Sequence, residues 1–445
     1  MITFQNLAIS NPLYNAMEDL GFKNPTPIQE KAFPIIRSGR NVIGISQTGT
    51  GKTLAFSLPI LQDLKYSTQD TPRVLILVPT RELAVQIADQ IELYAKYMTV
   101  RVLKIYGGTN INSQKKAILS GCDIIVGTPG RLYDLIAHGT LKLKSVSKLV
   151  IDEVDVMLDL GFRFQLNNIF ELLPSKRQNI MFSATMTKEI KALIQDFFIA
   201  PEEISIAISG TPLDNIKQYT YSVKNFYTKV NLLSHLLQDK EEFSKVLIFI
   251  DGKRNADRVF EKLEAEFGDE LGIIHSNKSQ NFRLNTIERF DNDKIRILLS
   301  TDIMARGLDL EKISHVICFD VPEYPENYIH RIGRTGRAEH VGKSILLCAE
   351  YETEARLMIE KLMDKSIDEI EFPEGVEISK QLTPAERPVD YVYKNQNRNT
   401  KGAESGAAFH EKKDKNKKTN QGGSYRRELA AKYKKPKTRG GKKKK

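Results

Sequence analysis

The amino-acid sequence predicts an α/β protein with two tandem parallel-sheet domains and a disordered basic C-terminal tail. Short apolar runs alternate with helix-like segments in both halves, a pattern typical of strands that are buried on both faces of a parallel sheet. With 445 residues the chain is too long for a single core. Residues 207–212 interrupt the alternation. We therefore expect a first domain at residues 1–207, a linker at 208–214, a second domain at 215–378 and the tail at 379–445.

Each predicted strand is a run of four or five residues that are mostly apolar. In the first half the runs are 41–45, 74–78, 102–105, 123–126, 148–151 and 179–182. In the second half they are 246–250, 271–274, 295–299, 315–319 and 344–347.

The first candidate site residue is Gln29, which follows two prolines at the start of a predicted helix. A glutamine amide offers one acceptor and two donors, which matches the edge of adenine that carries N6 and N7. Phe22, a few residues earlier, is placed to stack on the base. Taken alone, the pattern is weak evidence, and a polar surface residue is the default interpretation.

The second candidate is a glycine-rich turn between a predicted strand and a predicted helix, the setting of a phosphate-binding loop. Glycine allows the backbone N–H groups to turn inward around phosphate oxygens, and the following helix points its positive end at them. Lys52 reaches the β- and γ-phosphates, and the Thr53 hydroxyl coordinates Mg²⁺. Ser46 stands where the strict pattern has glycine. The loop residues are Ser46, Gln47, Thr48, Gly49, Thr50, Gly51, Lys52 and Thr53.

Three further strands end in loops that carry Gly, Thr, Pro or Arg, and these loops should line one face of the sheet because ligands bind outside the carboxyl ends of parallel strands. Hydroxyls, backbone amides and guanidinium groups suit contacts with a phosphodiester backbone. Each loop is also compatible with simple turn chemistry. The residues are Pro79, Thr80, Arg81, Gly108, Thr128, Pro129 and Arg131.

An acidic cluster follows the strand at 148–151. This is the position at which a phosphate-loop enzyme places its metal-binding carboxylate, so Asp152 is the candidate Mg²⁺ ligand. Glu153 is positioned to orient and deprotonate an attacking water. A helix cap would explain one carboxylate but not three. The hydroxyls of Ser183 and Thr185 follow the next strand and are candidates to bond Asp155 across the sheet.

The second half has no phosphate loop, but its run 330–337 carries three arginines and two glycines. On a helix, His330, Arg334 and Arg337 would share one face at i, i+4 and i+7. Side chains of like charge at this spacing repel each other unless an anion lies among them. A solvated basic face is the alternative, but it gives no reason for two glycines that lower helix stability. We expect anion binding.

The charge of the chain is unevenly distributed. Residues 395–445 contain 18 Lys and Arg against 4 Asp and Glu, a net charge of +14, while the whole chain carries +10. Residues 1–394 are therefore mildly acidic. The tail has few large apolar residues, so it should be disordered. It is either a solubilising tail or an arm that binds phosphates without sequence preference.

Composition also limits the cellular setting. The 3 cysteines are far apart with no CxxC pair, which argues against a disulfide framework and a thiolate zinc site and suits the reducing cytoplasm. No apolar run approaches the ~20 residues of a membrane span. The N-terminus lacks the basic and apolar regions of a signal peptide. We expect a cytoplasmic protein without a membrane segment.

Together these motifs resemble the DEAD-box family of RNA helicases over roughly residues 1–375. Phe4 with the run 21–29 resembles the adenine-reading Q motif of that family. The later motifs occur in the family's order at 46–53, 79–84, 128–131, 152–155, 183–185, 280–283, 300–309 and 330–337. Three positions depart from the pattern: Val154 replaces Ala in the acidic motif, Ser46 replaces a usual Ala, and 250–254 differs from the usual fourth motif.

The resemblance implies two RecA-like domains that close together on ATP, Mg²⁺ and single-stranded RNA. It assigns nucleotide contacts to Phe4 and Asp309, and arginine-finger roles to Arg334 and Arg337. It assigns RNA contacts to Arg283 and Thr301 besides the loop residues above, and coupling to His330, Asp155, Ser183 and Thr185. It further implies a monomer that acts on ribosomal or messenger ribonucleoprotein.

Three functions remain open at this point. The first is an RNA-dependent ATPase that unwinds or remodels RNA. The second is an ATP-gated RNA clamp that anchors an assembly, and duplex displacement would distinguish it from the first. The third is a DNA translocase, against which the Gln29 motif argues. The physiological RNA is not encoded in these motifs.

Overall fold

The computed structural model describes residues 3–46, 50–205, 216–302, 310, 312–336 and 342–387. The chain divides into two compact units, Met1–Leu382 and Thr383–Lys445. The first unit contains two seven-stranded parallel sheets with helices between the strands. The predicted α/β class with two tandem parallel-sheet domains is therefore confirmed. Among the described helices, none has the length and hydropathy needed to cross a membrane.

The first sheet has the strand order β3-β4-β2-β5-β6-β1-β7. Its strands are β1 Val42–Ile45, β2 Val74–Leu77, β3 Val102–Ile105, β4 Ile124–Gly127, β5 Lys148–Ile151, β6 Gln178–Ser183 and β7 Glu202–Ser205. Its helices are α1 Asn11–Asp19, α2 Pro27–Arg37, α3 Lys52–Asp63, α4 Arg81–Tyr94, α5 Ile111–Leu119, α6 Pro129–Ala137, α7 Val154–Asp159, α8 Arg163–Leu172 and α9 Lys188–Phe197, and a 3₁₀ helix spans Phe4–Leu7.

The second sheet has the strand order β10-β11-β9-β12-β13-β8-β14. Its strands are β8 Ile216–Val223, β9 Val246–Phe249, β10 Leu271–Ile274, β11 Ile297–Ser300, β12 His315–Cys318, β13 Gly342–Ala349 and β14 Asp368–Glu369. Its helices are α10 Phe226–Leu237, α11 Lys253–Phe267, α12 Gln280–Asp291, α13 Pro325–Ile332 and α14 Thr353–Met363, with 3₁₀ helices at Gly268–Glu270 and Glu350–Glu352.

Each sheet is buried on both faces, which explains its continuous apolar strands. In the first domain one core cluster contains Phe33 and Phe56, and the other contains Leu132 and Phe170. The two faces of the second sheet are covered in the same way. Because β5 and β1 both flank β6, the loops that follow these three strands meet at one edge of the sheet.

The sequence did not indicate β7, β8 or β14. Buried and exposed residues alternate along β8, and β7 and β14 are short and polar, so none of the three is an apolar run. The predicted linker at 208–214 lies outside the described residues.

The chain just beyond the boundary predicted at residue 378 is hydrogen-bonded to the second sheet domain. Ser379 N donates a hydrogen bond to Thr228 Oγ1 at 3.0 Å. The Asn225 side chain in turn donates to Ser379 O at 2.6 Å. Hydrogen bonds between residues about 150 positions apart leave no local sequence pattern, and the domain boundaries stay a prediction.

We expect Gly44→Ala to destabilise the first domain by about 1–3 kcal/mol, the usual cost of overpacking a core. A Cβ at Gly44 would lie 2.4 Å from Cε1 of Phe182, which is fully buried and packs against the Phe56 ring. Urea denaturation measures the loss. Gly375→Ala is the matched control, since the atom nearest to its Cβ would be 4.0 Å away. Equal stabilities for the two variants would contradict the prediction.

Candidate active site

The phosphate loop joins β1 to α3 and is attached to the strand beside it. Ser46 N donates to Ser183 O at 3.0 Å, and Thr50 Oγ1 donates to Ser46 Oγ at 3.2 Å. Gly51 has a φ of +87° and forms the N-cap of α3, so its lack of a side chain is needed there. Lys52 and Thr53 then occupy the first turn of the helix. Gln47, Thr48 and Gly49 lie outside the described residues.

Gln29 is buried and bonded to the phosphate loop. Its Oε1 accepts a hydrogen bond from Thr26 N at 2.9 Å, and its Nε2 donates to Gly51 O at 3.1 Å. The Thr26 hydroxyl donates to Thr50 O at 2.8 Å. An amide has two donor hydrogens and two acceptor positions, so Gln29 retains one of each for a further partner. The geometry thus links the predicted adenine-reading residue directly to the loop that would hold the phosphates.

The two phenylalanines predicted beside the base occupy different environments. Phe22 is 42% exposed, which leaves its ring open to a ligand. Phe4 is buried in the core cluster that contains Leu13 and Met17. Any contribution of Phe4 to nucleotide binding is therefore indirect, through the position of the N-terminal segment.

The acidic cluster places two carboxylates beside the phosphate loop. Asp152 Oδ1 accepts a hydrogen bond from Glu153 N at 3.0 Å. Glu153 has the left-handed backbone angles φ 52° and ψ 51°, which are uncommon for a residue other than glycine and cluster at functional sites. Glu153 Oε2 and Lys52 Nζ are both buried and hydrogen-bond to no described residue. Buried polar groups normally have partners, so this pair indicates a place prepared for a ligand.

These groups line one small pocket with residues from the second domain. The lining residues are Lys52, Glu153, Asp155, Val156, Ala184, His330 and Arg334. Burial raises the pKa of Asp152 to about 7, with the negative charge of Glu153 adding to the effect and the positive charge of Lys52 opposing it. The site therefore favours a cation beside Asp152.

Asp155 connects the predicted coupling residues. Its Oδ2 accepts hydrogen bonds from Ala184 N at 3.1 Å and from Thr185 N at 3.2 Å, and it lies 3.7 Å from Nε2 of His330. Thr185 N also donates to Ser183 Oγ at 3.3 Å. Burial acts to raise the pKa of Asp155, but the charges of His330 and Lys52, together with hydrogen bonds from Val156 N and the Ser183 side chain, outweigh burial and the pKa is lowered. The structure thus brings together all four residues to which coupling was assigned.

The helical arrangement predicted for His330, Arg334 and Arg337 is wrong. Helix α13 ends at Ile332, and Gly336 has a φ of +68°, which a continuing helix does not allow. The glycines therefore end the helix. Arg334 nevertheless lines the pocket, with its Nε donating to His330 O at 3.3 Å. Arg337 and Asp309 lie outside the described residues.

Sequence reasoning missed Arg331, which is buried and fixes the end of α13. Its Nε donates to Asp302 Oδ1 at 2.6 Å, its Nη2 donates to Asp251 Oδ1 at 2.8 Å, and its Nη1 donates to Asp320 O at 2.6 Å. These three aspartates follow β11, β9 and β12 at the carboxyl edge of the sheet. Three acids at neighbouring strand ends were the signal, because such a cluster needs a cation.

The residues predicted to contact RNA lie mainly at the starts of helices. Thr80 caps α4, and its Oγ1 accepts from Leu83 N at 3.3 Å. Thr128 caps α6, with Pro129 as the first helical residue. Such helix starts present N–H groups and a positive dipole to an anion. Pro79, just before Thr80, is buried.

Two arginines lie beside these helix starts. A Cβ at Gly108 would lie 1.9 Å from Nη1 of Arg81, and its φ of +79° is one that residues with a side chain rarely adopt, so the backbone there favours glycine. Arg131 donates to Gln114 Oε1 at 3.2 Å and to Thr109 O at 3.1 Å. Arg131 is thus held by hydrogen bonds beside the start of α6, and the Arg81 guanidinium lies against Gly108.

In the second domain, Arg283 is placed differently from its predicted role in RNA binding. It is buried, and its Nη2 lies 3.3 Å from Oε1 of Glu82 in helix α4 of the first domain. Gln280 Nε2 donates to the same oxygen at 3.1 Å. The pairing therefore joins the two domains, and RNA contact by Arg283 stays a prediction. Thr301 is half-buried, with its N donating to Ile274 O at 3.4 Å.

Both halves of the chain match known families. Residues 26–193 match the DEAD/DEAH box helicase family, and residues 228–339 match the helicase conserved C-terminal domain.

Named relatives cover most of the chain. It is 39% identical over 380 residues to the ATP-dependent RNA helicase DeaD of Escherichia coli (strain K12), a match that covers 85% of this chain and 60% of that protein. It is 36% identical over 373 residues to the DEAD-box ATP-dependent RNA helicase CshA of Bacillus cereus, covering 84% and 70% respectively. The chain spans about 60% of the length of the DeaD relatives that it matches.

The fold is also similar to that of a solved helicase complex. S. cerevisiae Dbp5 bound to RNA and ADP BeF3 shares 28% sequence identity with a TM-score of 0.76, over 83% of this chain and 95% of that one. The fold and the pocket define a protein with tandem RecA-like domains and a phosphate-binding loop. Within that class, the chain belongs to the DEAD-box ATP-dependent RNA helicase family.

We expect Asp152→Asn to stabilise the protein in buffer without nucleotide and magnesium. The pKa is 3.8 when the carboxyl is exposed, as in the unfolded chain, and about 7 in the fold. Burying the ionised carboxylate therefore lowers the free energy of unfolding. This loss is complete above pH 7, where the carboxyl is ionised in both states, and it is absent well below pH 3.8, where the carboxyl is protonated in both states. The amide removes that cost, so urea denaturation should show a gain on the order of 2–4 kcal/mol at pH 8 that shrinks towards pH 5.

Asp196→Asn is the matched control, because Asp196 is an exposed aspartate in helix α9. It should leave stability unchanged at each pH. A variant at Asp152 that is less stable than the wild type at pH 8 would contradict the burial argument.

Proposed function

We propose that this chain is an ATP-dependent RNA helicase that binds single-stranded RNA between its two RecA-like domains. ATP hydrolysis is coupled to local unwinding or remodelling of RNA duplexes or RNA–protein complexes. The main support for this proposal is a pocket that both domains line. Lys52 Nζ and Glu153 Oε2 of the first domain are buried without a hydrogen bond to any described residue, and they share a pocket with Arg334 of the second domain, so the groups needed for phosphoryl transfer come from both domains.

Lys52 holds the nucleotide by its phosphates, because a buried ammonium without a hydrogen-bond partner is best satisfied by an anion. The start of α3 adds backbone N–H groups to the same place. Gln29 binds adenine with the donor and acceptor that its bonds to Thr26 and Gly51 leave free. Because Gln29 is hydrogen-bonded to the phosphate loop, a change in the position of the loop also moves the residue that binds the base.

Thr53 and Asp152 would hold Mg²⁺, since a hydroxyl and a carboxylate are the hard oxygen donors that this ion prefers. The described residues contain no cluster of three or more acidic, His or Cys side chains around a metal position, so the remaining ligands would be phosphate oxygens and water. The ion, when bound, neutralises charge on the β- and γ-phosphates. The raised pKa of Asp152 supports this assignment.

Glu153 acts as the general base. Its Oε2 is buried and free of hydrogen bonds to the described residues, so it is available to accept a proton from the attacking water. The left-handed backbone at Glu153 directs the side chain into the pocket instead of along α7. Arg334, joined by Arg337, supplies positive charge where the transition state develops negative charge.

Domain closure is required for hydrolysis because the base and the arginines lie on different domains. Two contacts support closure in this structure, the His330–Asp155 pair and the Arg283–Glu82 pair. Glu82 lies in the first turn of α4 beside Arg81, a predicted RNA contact, so RNA binding and closure involve the same helix start. RNA and ATP should therefore strengthen each other's binding by the same factor.

The proposal also covers the location, the oligomeric state and the RNA target of the protein. The protein acts in the cytoplasm as a monomer on ribosomal or messenger ribonucleoprotein. Its basic residues at 395–445 hold RNA near the domains by charge, an effect that salt weakens. The relative Dbp5, whose structure contains RNA and ADP BeF3, supports the RNA and nucleotide assignments.

We expect Glu153→Gln to abolish turnover while leaving ATP and RNA binding nearly intact. The amide has the shape of the carboxylate but accepts no proton, and loss of a general base typically lowers the rate by about 10²–10⁴-fold. Single-turnover hydrolysis measures the chemical step. The affinity for RNA in the presence of a nucleotide analogue shows whether nucleotide and RNA binding are retained.

Glu171→Gln is the matched control, since Glu171 is exposed on α8 in the same domain. It should retain wild-type turnover. Hydrolysis by Glu153→Gln at the wild-type rate would show that another group is the base.

We also expect the enzyme to hydrolyse ATP in preference to GTP. A bidentate amide discriminates between bases by about 1–3 kcal/mol, or about 5- to 150-fold in kcat/KM. The measurement is RNA-stimulated hydrolysis of both nucleotides by the wild type. Equal efficiencies would mean that Gln29 serves only to bond Thr26 and Gly51.

A further inference from the structure

An exposed aromatic pair lies near the starts of helices α6 and α8. Phe164, the second residue of α8, is 63% exposed. Its ring meets the ring of Tyr133 edge to face, with centroids 5.8 Å apart and an interplanar angle of 82°. Tyr133 is half-buried and packs against the core under α6. Tyr133 therefore supports Phe164 while much of the Phe164 ring stays open to solvent.

The pair continues the surface of the first domain that carries the proposed RNA contacts. Gly130 and Tyr133 are three positions apart and so lie on one face of α6. Phe162, which caps α8, lies against this face, with its Cε1 3.8 Å from the position of a Cβ at Gly130. Gly130 itself lies between Pro129 and Arg131. The aromatic pair is thus about one helical turn beyond the proposed phosphodiester contacts.

The chemistry of the pair suits a nucleic-acid base. A single exposed apolar side chain is common on protein surfaces and needs no explanation. Here, however, the exposed ring is held by a second ring, and the exposed Arg163 precedes it in the chain. Aromatic rings beside basic groups that track a phosphate backbone are the arrangement by which proteins bind single strands without sequence preference.

We propose that Phe164, supported by Tyr133, is a stacking platform for one unpaired RNA base next to the backbone contacts at Thr128 and Arg131. Every base has a π-face, so the platform would strengthen binding without selecting a sequence. It would also favour an unpaired strand, because a base in a duplex is already stacked on its neighbours. The inference rests on the proposed function, in which a strand follows this face.

The first test is equilibrium binding of a fluorescent single-stranded RNA to the full chain with ADP and beryllium fluoride. Phe164→Ala should raise the Kd about 5- to 10-fold, the lower part of the range for one base–aromatic stack. Phe164→Trp, which keeps an aromatic ring at this position, should bind the RNA with about the wild-type Kd. Tyr66→Ala is the control, because Tyr66 is 73% exposed but lies beyond the far end of α3, at the opposite edge of the sheet.

The second test locates the base. A series of RNAs, each lacking one base at a different position, is titrated against the wild type and Phe164→Ala. The wild type should lose affinity at one position at which Phe164→Ala loses nothing further. A thermal unfolding midpoint equal to that of the wild type confirms that the variant is folded, as expected for an exposed position.

Two results would overturn the inference. Unchanged RNA affinity in Phe164→Ala, or equal losses in both proteins at every missing base, would assign the ring to a protein-docking surface or to no contact. In that case the proposed function stands. If the wild type itself fails to bind RNA with nucleotide present, the proposed function and the inference both fall.

Discussion

The Asp155 carboxylate is the interaction on which the rest of the site depends. A buried carboxylate must be matched by donors or cations, since leaving it unsatisfied in the interior is costly. Asp155 takes its donors from Ala184 and Thr185 after β6, and it lies 3.7 Å from His330 of the second domain. One charged group therefore fixes two neighbouring loops of the first domain and reaches the second.

The same site contains polar groups that the described part of the chain leaves unsatisfied. Lys52 Nζ and Glu153 Oε2 are buried and hydrogen-bond to no described residue, and Asp152 has a raised pKa. Each of these features lowers the stability of the ligand-free protein. A site that binds phosphate, metal and water must hold such groups ready before the ligands arrive, so the loss of stability is a consequence of function.

In the second domain, Arg331 is held by the carboxylates of Asp251 and Asp302, which follow β9 and β11, and by the backbone carbonyl of Asp320, which follows β12. This buried network fixes the end of α13, and with it the neighbouring His330 and Arg334 that line the pocket. Two arginines of the run 330–337 thus have different roles. Arg331 holds the backbone in place, whereas Arg334 is presented to the pocket.

The sequence by itself determined the parallel-sheet fold, the phosphate loop and the acidic cluster, because each is written in a short stretch of neighbouring residues. Only the tertiary structure decided the partners of Gln29 and Arg283, since Gly51 and Glu82 are distant in the chain. It also ended α13 at Ile332 and added strands such as β8, which pairs with β13 and β14 although its sequence is not an apolar run. Local periodicity encodes elements, but contacts between distant residues depend on how those elements pack.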